Sequence, residues 1–187
     1  IIRQVYEDSK GNLWIATDKG GLNIFDYDTH TFKQFNHQDG NPHSLIGDTI
    51  YSIVEDSEGY LWFACYGNGL SSIHVNEIDN QQFTNYRHDP DIINSLSNDY
   101  VLSICEGKNG GLWIGTENGG LNYLHKDRKT FTHYINNNSN PFGISSDSIY
   151  SIYKDNIGDI WIGTFSGGIN LLNYNKQGFI HYKNMPK

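Results

Sequence analysis

The sequence predicts an all-β protein in which one four-stranded antiparallel sheet occurs four times, because its aromatic residues recur at a fixed spacing. The tryptophans lie 48, 51 and 48 residues apart, at Trp14, Trp62, Trp113 and Trp161. Four phenylalanines repeat in the same register, at Phe32, Phe83, Phe131 and Phe179. Such a period is typical of a protein assembled from copies of one small unit. The second copy is three residues longer, between Leu70 and Phe83.

Within each copy, short runs of alternating residues predict strands rather than helices. Ile50, Ser52 and Val54 fall on one side of such a run, and apolar alternation of this kind is a strand signal. No stretch of ten residues carries a helical pattern. In the first copy we expect strands over Ile2–Glu7, Leu13–Thr17, Gly21–Asp26 and Thr31–Phe35.

Turn residues separate these strands at matching positions of the copies. Asp and Gly stand at the first and fourth positions of three hairpins, over 8–11, 56–59 and 155–158. There the Asp side chain can accept backbone N–H bonds, while Gly takes the left-handed conformation that closes the turn. Gly107 replaces the aspartate in the third copy, so we expect that hairpin to lack the side-chain bond. Paired glycines, such as Gly20-Gly21, mark the second turn.

Four antiparallel strands per about 45–50 residues, with a long crossing to the next copy, are typical of a β-propeller blade. We therefore predict a single propeller segment of four blades, over about 1–49, 50–98, 99–147 and 148–187, with the first strand of each blade innermost. A solenoid β-helix is the alternative, although its rungs are usually shorter. An open arc exposes apolar faces and sheet edges. We expect it to join the remaining blades of a larger ring or to close as a homodimer.

Composition and charge exclude several functions. The formal net charge is −8, and the three arginines are scattered, so we expect no nucleic-acid partner, because phosphate binding needs clustered Lys or Arg. The eight histidines show no metal-ligand spacing, and we expect neither a metal nor another cofactor. Cys65 and Cys105 occupy different repeat positions, which favours two unpaired thiols over a disulfide. The sequence contains no signal peptide and no run of 18 apolar residues.

The repeated unit, E-D-x-x-G-x-L-W-I-G-T-x-x-G-G-L-N, is followed by F-x-x-Y and by a crossing such as Asn41-Pro42-His43-Ser44-Leu45. This unit resembles the two-component regulator propeller repeat over essentially the whole chain. The resemblance implies the extracytoplasmic, periplasmic sensor region of a hybrid two-component system of Bacteroides-like gut bacteria. Members of that family typically sense glycan fragments. The resemblance places the histidine kinase and the response regulator elsewhere in the parent protein, outside these residues.

Asp-x-x-Gly-x-x-Trp is also similar to the Asp-box hairpin of sialidases. In those enzymes the box is a structural turn, and catalysis needs an arginine triad together with Tyr and Glu. Here Arg3, Arg87 and Arg128 fall at three unrelated repeat positions, so they should not converge. Quinoprotein propellers have a longer Ala-x-Asp motif that is missing here. We therefore expect no enzymatic activity in this segment.

The candidate ligand residues are those that differ between copies inside one repeated turn, the turn after the second strand. Aromatic faces beside carboxylates and amides suit sugar rings, which need stacking and hydrogen bonds to hydroxyls. The alternative is a solvated turn whose side chains are unconstrained. The candidates are Asp18, Lys19, Tyr66, Asn68, Glu117, Asn118, Phe165 and Ser166.

A second candidate set is the three carboxylates that precede inner strands, Asp48, Asp99 and Asp147. In a propeller they would lie near the channel mouth, where they could attract a cation or an amine. A turn-capping role would produce the same repetition, and we favour it. Two functions therefore stay open: a module that senses an oligosaccharide or another small ligand, and architectural blades that mediate dimerisation or protein contact. Fold alone does not choose between them.

Overall fold

The computed structural model describes residues 1–174 and 178–183, and within them the chain is all-β. The first sheet contains β1 (Ile2–Glu7), β2 (Leu13–Thr17), β3 (Leu22–Asp26) and β4 (Thr31–Phe35). The second contains β5 (Ile50–Glu55), β6 (Tyr60–Cys65), β7 (Gly69–His74) and β8 (Thr84–Tyr86). The third contains β9 (Val101–Glu106), β10 (Leu112–Thr116), β11 (Leu121–Leu124) and β12 (Phe131–Tyr134). The fourth contains β13 (Ile149–Lys154), β14 (Ile160–Thr164), β15 (Ile169–Asn173) and β16 (Gly178–Tyr182).

Each sheet is one propeller blade, in which the four strands follow one another in sequence order. Neighbouring strands of the first blade are antiparallel, with Tyr6 of β1 opposite Trp14 of β2 and Trp14 opposite Ile24 of β3. The register shifts at one repeat position of the first strand, between residues 2 and 4, 50 and 52, and 149 and 151. The predicted fold class, four four-stranded antiparallel blades, is thus confirmed.

The bounds predicted for the first, second and fourth strands of the first copy are correct. The third strand begins at Leu22, one residue later than predicted. Gly21 belongs to the preceding turn, where its φ is +63°. A Cβ at this position would collide with the carbonyl oxygen of Phe35, so the turn needs glycine. The insertion in the second copy forms a 3-10 turn over Ile78–Asn80.

The chain divides into two compact units. Unit 1 comprises residues 1–88 and 99–101, and unit 2 comprises residues 89–98 and 102–187. The core of unit 1 includes Trp14, Phe35 and Phe63 from its two blades. The core of unit 2 includes Trp113, Ile149 and Phe179. Each unit therefore has its own apolar core, built from two consecutive blades.

The repeated aromatic residues form the contact between consecutive blades of a unit. Trp14 packs against Phe63 of the next blade, with ring centroids 5.4 Å apart. Phe83 packs against Phe35 of the preceding blade, with ring centroids 6.0 Å apart. The repetition of the tryptophans predicts that all four are buried between blades; three of them are buried, whereas Trp161 is half-buried. Phe32 differs from its buried counterparts because it is 58 % exposed.

Candidate functional site

In three blades, the turn after the second strand is tied to the residue just before the first strand of the same blade. Asp18 N–H donates to the carbonyl of Ile1 at 2.8 Å, and Tyr66 N–H to that of Thr49 at 2.8 Å. Phe165 N–H donates to the carbonyl of Ser148 at 3.0 Å. These bonds hold the first residue of the turn beside the strand, so that its side chain meets the side chains that the strand presents. The candidate residues are therefore placed by the backbone.

In unit 1, five side chains form a row from a carboxylate to an aromatic cluster. The Arg3 guanidinium pairs with Asp18 at 2.7 Å and lies over the Tyr51 ring, 4.4 Å from its centroid. Tyr51 stacks on Tyr66 with centroids 4.7 Å apart and planes 20° apart. Tyr66 also meets the edge of Tyr100 at 5.0 Å. Asp18 and Tyr66, both predicted from the sequence, are thus joined by residues that were not.

Two further candidates of unit 1 serve the turns themselves. Lys19 has a left-handed backbone, with φ +64°, and its N–H donates to the Thr49 hydroxyl at 3.2 Å. Asn68 N–H donates to the carbonyl of Cys65 at 2.9 Å. The side chain of Asn68 packs so closely on Gly47 that no Cβ would fit there. The Lys19 side chain is exposed, whereas Asn68 is half-buried.

In unit 2, the most accessible candidate is Phe165, which is 73 % exposed. It stacks on Tyr150, which is 50 % exposed, with ring centroids 5.7 Å apart and planes 27° apart. Asn118 exchanges two hydrogen bonds with the Ser148 hydroxyl, at 3.1 and 3.0 Å. Ser166 is exposed and Glu117 is half-buried. Unit 2 thus presents a flat pair of rings to solvent.

Asp48, Asp99 and Asp147 cap loops, which is the role that the sequence favoured. One carboxylate oxygen of each accepts a backbone N–H eleven residues earlier, at distances of 2.7, 2.7 and 2.6 Å. The backbone carbonyl of each accepts the N–H of the second glycine of a turn, Gly21, Gly69 or Gly120. In the described part of the chain, no group of His, Cys, Asp and Glu side chains is arranged to hold a metal ion.

The sequence analysis did not identify the partners of the turn residues, which are Arg3, Tyr51 and Tyr150 in first strands and Tyr100 just before β9. A signal was available, because Arg3, Tyr51 and Tyr150 occupy one repeat position. That position is next to the turn in the folded blade, so its variation belongs to the same surface. The varied residues of the turn and those of this first-strand position are therefore neighbours in space and are best compared together.

The two cysteines are unpaired, as expected. Burial raises the pKa of the Cys65 thiol to about 12, and it also raises the pKa of the half-buried Cys105 thiol. A thiol that stays protonated is a poor nucleophile and a poor metal ligand. Neither cysteine is suited to catalysis in the folded chain.

The family of two component regulator propeller repeats matches residues 1–19, 44–67, 95–118 and 143–166. These four segments cover the start of each blade, up to the turn that carries the candidate ligand residues. No curated protein sequence shows significant similarity to the chain. Among the described residues, no helix has the length and apolar character that crossing a bilayer requires.

Solved structures share the fold. The extracellular domain of BT3049 from B. thetaiotaomicron, assigned to a hybrid two-component system, is 28 % identical with a TM-score of 0.78 over 96 % of this chain. The extracellular domain of BT4673, from the same organism and assigned to a one-component system, is 26 % identical with a TM-score of 0.75 over 97 %. This chain spans 23 % and 24 % of those chains.

A virginiamycin B lyase from Staphylococcus aureus also aligns, at 16 % identity and a TM-score of 0.70, over 98 % of this chain and 55 % of the lyase. At that identity the likeness concerns the fold alone, and it shows that propellers of this shape include enzymes. The assignment therefore rests on the fourfold match of the repeat and on the two extracellular domains. The chain is built of two-component regulator propeller repeats, and it belongs to that family.

Proposed function

We propose that this chain is a ligand-sensing part of the periplasmic region of a hybrid two-component sensor, and that its ligand is an oligosaccharide. The family assignment and the two extracellular domains support the sensor role. The observation that carries the ligand class is the stacked pair of Tyr150 and Phe165, both at least half exposed. Exposed ring faces beside amides and hydroxyls suit the C–H faces and hydroxyl groups of a sugar.

In each unit, polar residues of the turn would set the orientation of a sugar bound at the rings of that unit. Asn118 and Ser148 form a hydrogen-bonded pair in unit 2, and Asp18 presents a carboxylate held by Arg3 in unit 1. The Tyr51–Tyr66–Tyr100 cluster offers a second aromatic surface, which is less exposed. With a net charge of −8, the chain favours a neutral or weakly basic sugar over a sulfated one.

In this proposal the chain binds its ligand without converting it. The candidate residues include no nucleophile paired with a base, which hydrolysis or elimination would need. The kinase reaction belongs to other parts of the parent protein. The other propeller blades of the parent would complete the surface on which these four blades act.

Calorimetric titration of a neutral oligosaccharide panel into the full chain tests this proposal. Phe165→Ala should weaken binding by about 1–2 kcal/mol, because truncating an aromatic contact at a binding surface has this effect. Tyr66→Ala should have a smaller effect, since the ring is less exposed, and Phe165→Tyr should keep the affinity. Tyr153→Ala is the matched control, because Tyr153 is 62 % exposed on β13 and lies outside the turn. If all the variants bound the ligand with equal affinity, the ligand site would not include these turn residues.

The exposure of Phe32 favours a second function, in which the blades form a protein contact. Its counterparts Phe83 and Phe179 are buried against the preceding blade, through Phe35 and Tyr134. An apolar ring left open at this position suits another blade, from the same parent protein or from a second copy in a homodimer. Light scattering should show association that Phe32→Asp weakens. A monomer at every concentration, for both proteins, would argue against this contact.

A further inference from the structure

A groove of about 450 Å³ lies between the third and fourth blades, inside unit 2. Its lining is dominated by aromatic rings and amides, with Tyr123, Tyr134, Phe142 and Tyr174 among the rings and Asn140 and Asn173 among the amides. Among the described residues, the lining includes no Asp, Glu, Lys or Arg. A second depression of about 390 Å³ shares Phe142 and Asn173 with it. Together they form an extended surface whose lining also includes His125 and His181, and the Lys108 ammonium lies beside it, 4.8 Å from the centroid of the Tyr174 ring.

Two rings of this groove remain accessible. Phe142 is 63 % exposed, and it follows Asn140 in the crossing between the third and fourth blades. Tyr174 is 39 % exposed and follows β15. The backbone positions Phe142, because its N–H donates to the Asn140 side chain at 3.1 Å and its carbonyl accepts the N–H of Phe179 at 2.9 Å. Phe142 is thus an exposed ring on a fixed backbone.

The groove also contains a buried donor that lacks the carboxylate acceptor found in the other three blades. In the first, second and fourth blades, the tryptophan Nε1–H donates to the hairpin aspartate, at 2.8, 2.9 and 2.9 Å. Trp113 has Gly107 in place of that aspartate, and its Nε1 is buried without a hydrogen-bond partner. Burial raises the pKa of the Tyr174 hydroxyl and the neighbouring Trp113 indole N–H lowers it, so this hydroxyl lies close to the donor. Buried donors of this kind are rare in folded proteins.

The corresponding place in unit 1 has a different character. The groove there, about 570 Å³, is lined by Lys10, Asp26, Lys33 and Asp79 among others. Lys33 and Asp79 pair across it at 3.1 Å, and Ile78 of the inserted turn packs against the core. In unit 1 the groove between the blades is therefore charged and crossed by an ion pair.

We propose that the groove in unit 2 binds one or two units of a neutral saccharide. Phe142 stacks on the C–H face of the sugar beside Tyr174, whose ring has the Lys108 ammonium 4.8 Å from its centroid, and the amides of Asn140 and Asn173 bond to the sugar hydroxyls. The described lining contains no Asp, Glu, Lys or Arg, and the adjacent Lys108 already lies over the Tyr174 ring, so the groove favours an uncharged ligand over one that would lose its hydration there. The choice of a saccharide rests on the proposed sensing function, but the site is distinct from the turn that carries Phe165.

The test is binding of neutral trisaccharides, namely maltotriose, cellotriose, mannotriose and xylotriose, to the full chain labelled with 5-fluorotryptophan. Binding in the groove should shift the ¹⁹F resonance of Trp113, which Trp113→Phe identifies. Phe142→Ala should weaken binding roughly tenfold, the scale for loss of an aromatic anchor, while Phe142→Trp keeps it. His43→Ala is the matched control, because His43 has the same repeat position in the first blade and its carbonyl likewise accepts the N–H of Phe83.

The outcomes separate this site from the turn. A Trp113 shift, with binding lost in Phe142→Ala and kept in His43→Ala and Phe165→Ala, supports the groove and refutes the turn as the site. Calorimetric heat without a Trp113 shift, lost in Phe165→Ala and kept in Phe142→Ala, overturns the groove and leaves the sensing function intact. If no trisaccharide produces either heat or a shift, the groove proposal is overturned for this ligand class. Near-ultraviolet circular dichroism checks that each variant is folded.

Discussion

Units 1 and 2 each consist of two neighbouring blades with similar apolar packing. They differ in the polar groups that join the two blades of each unit. In unit 1, the Gln4 side-chain amide forms two hydrogen bonds with the backbone of Ile53, at 3.1 and 2.7 Å. Tyr6 accepts the N–H of Glu55 at 3.2 Å, and Ser9 N–H donates to the Glu55 carboxylate at 2.7 Å. The polar groups of the first blade are thus bonded directly to the second.

In unit 2, the residues at these positions are smaller or differently charged. Ser103 replaces Gln4, and its hydroxyl is buried without a partner. Cys105 replaces Tyr6, and Lys154 replaces Glu55 and pairs with Glu106 at 3.7 Å. The third blade also lacks the hairpin aspartate, so the Trp113 indole N–H has no carboxylate acceptor. The comparison shows that the repeated apolar residues suffice for the fold. The polar contacts that Gln4 and Tyr6 form between the blades of unit 1 are not required, since other residues replace both in unit 2, where the groove lies.

The largest effect is expected for Asp56→Ala in unit 1. Asp56 is buried and accepts bonds from the Trp62 indole and from the backbone N–H groups of Glu58 and Tyr60. Removing it should destabilise the chain by about 3 kcal/mol, because a charged acceptor is lost and the indole N–H stays buried. Urea unfolding measures the change.

Two controls accompany this measurement. Asp56→Asn keeps an acceptor for Trp62 and should cost less than alanine. Asp127→Ala removes an exposed turn carboxylate, whose pKa is lowered to about 2 by hydrogen bonds from Thr130 and Lys129, and it should change stability little. If Asp56→Ala were as stable as Asp127→Ala, the bond to tryptophan would not explain the repeated aspartate.

The second effect concerns the polar contact between the first two blades. Gln4→Ala removes both bonds to Ile53 and should lower the free energy of unfolding by about 1–2 kcal/mol, because a backbone donor and a backbone acceptor lose their partner. Gln34→Ala is the control, since its single bond to the carbonyl of Gly20 lies on the exposed outer strand. If urea unfolding showed a larger loss of unfolding free energy for Gln34→Ala than for Gln4→Ala, the comparison would be contradicted.

The third effect runs in the opposite direction. Gly107→Asp should restore the missing acceptor and stabilise the chain by about 1 kcal/mol. The backbone is already suitable, because Gly107 N–H bonds to Gly111 as Asp8 N–H bonds to Asn12, and Gly110 has the left-handed φ of Gly11. The measurement is urea unfolding, with Gly107→Asn as a neutral control.

The pH dependence of this gain provides a separate check. In the fourth blade, the Trp161 indole, together with backbone N–H groups, lowers the pKa of Asp155. A carboxylate with a lowered pKa in the folded state adds stability above its unfolded pKa of about 4, and that stability is lost as the pH falls through the folded value. The gain from Gly107→Asp should therefore fade in acid, while that from Gly107→Asn should not. A gain that is independent of pH would point to backbone effects instead.

Much of the fold follows from the sequence, because the repeat makes each copy confirm the others. The bounds of β1, the burial of Trp14 and the missing aspartate at Gly107 depend on residues within one blade. The exposure of Phe32 and the stack of Tyr51 on Tyr66 depend on what lies beside them in space, and Phe32 has the same identity as its buried counterparts. The groove at Phe142 was missed for this reason, since its sides come from two blades.

The smallest effect is expected for Ser103→Ala, at the position of Gln4 in the third blade. The Ser103 hydroxyl is buried and lacks a partner, so its removal abolishes a desolvation cost without breaking a bond. We expect the variant to be as stable as the wild type or more stable by up to about 1 kcal/mol, because the methyl group of alanine fits the same space. Urea unfolding of Ser103→Ala beside Gln4→Ala measures the contrast between the two pairs of blades directly. A loss of stability in Ser103→Ala comparable to that in Gln4→Ala would mean that Ser103 has a bonding role, and the polar difference between the units would then disappear.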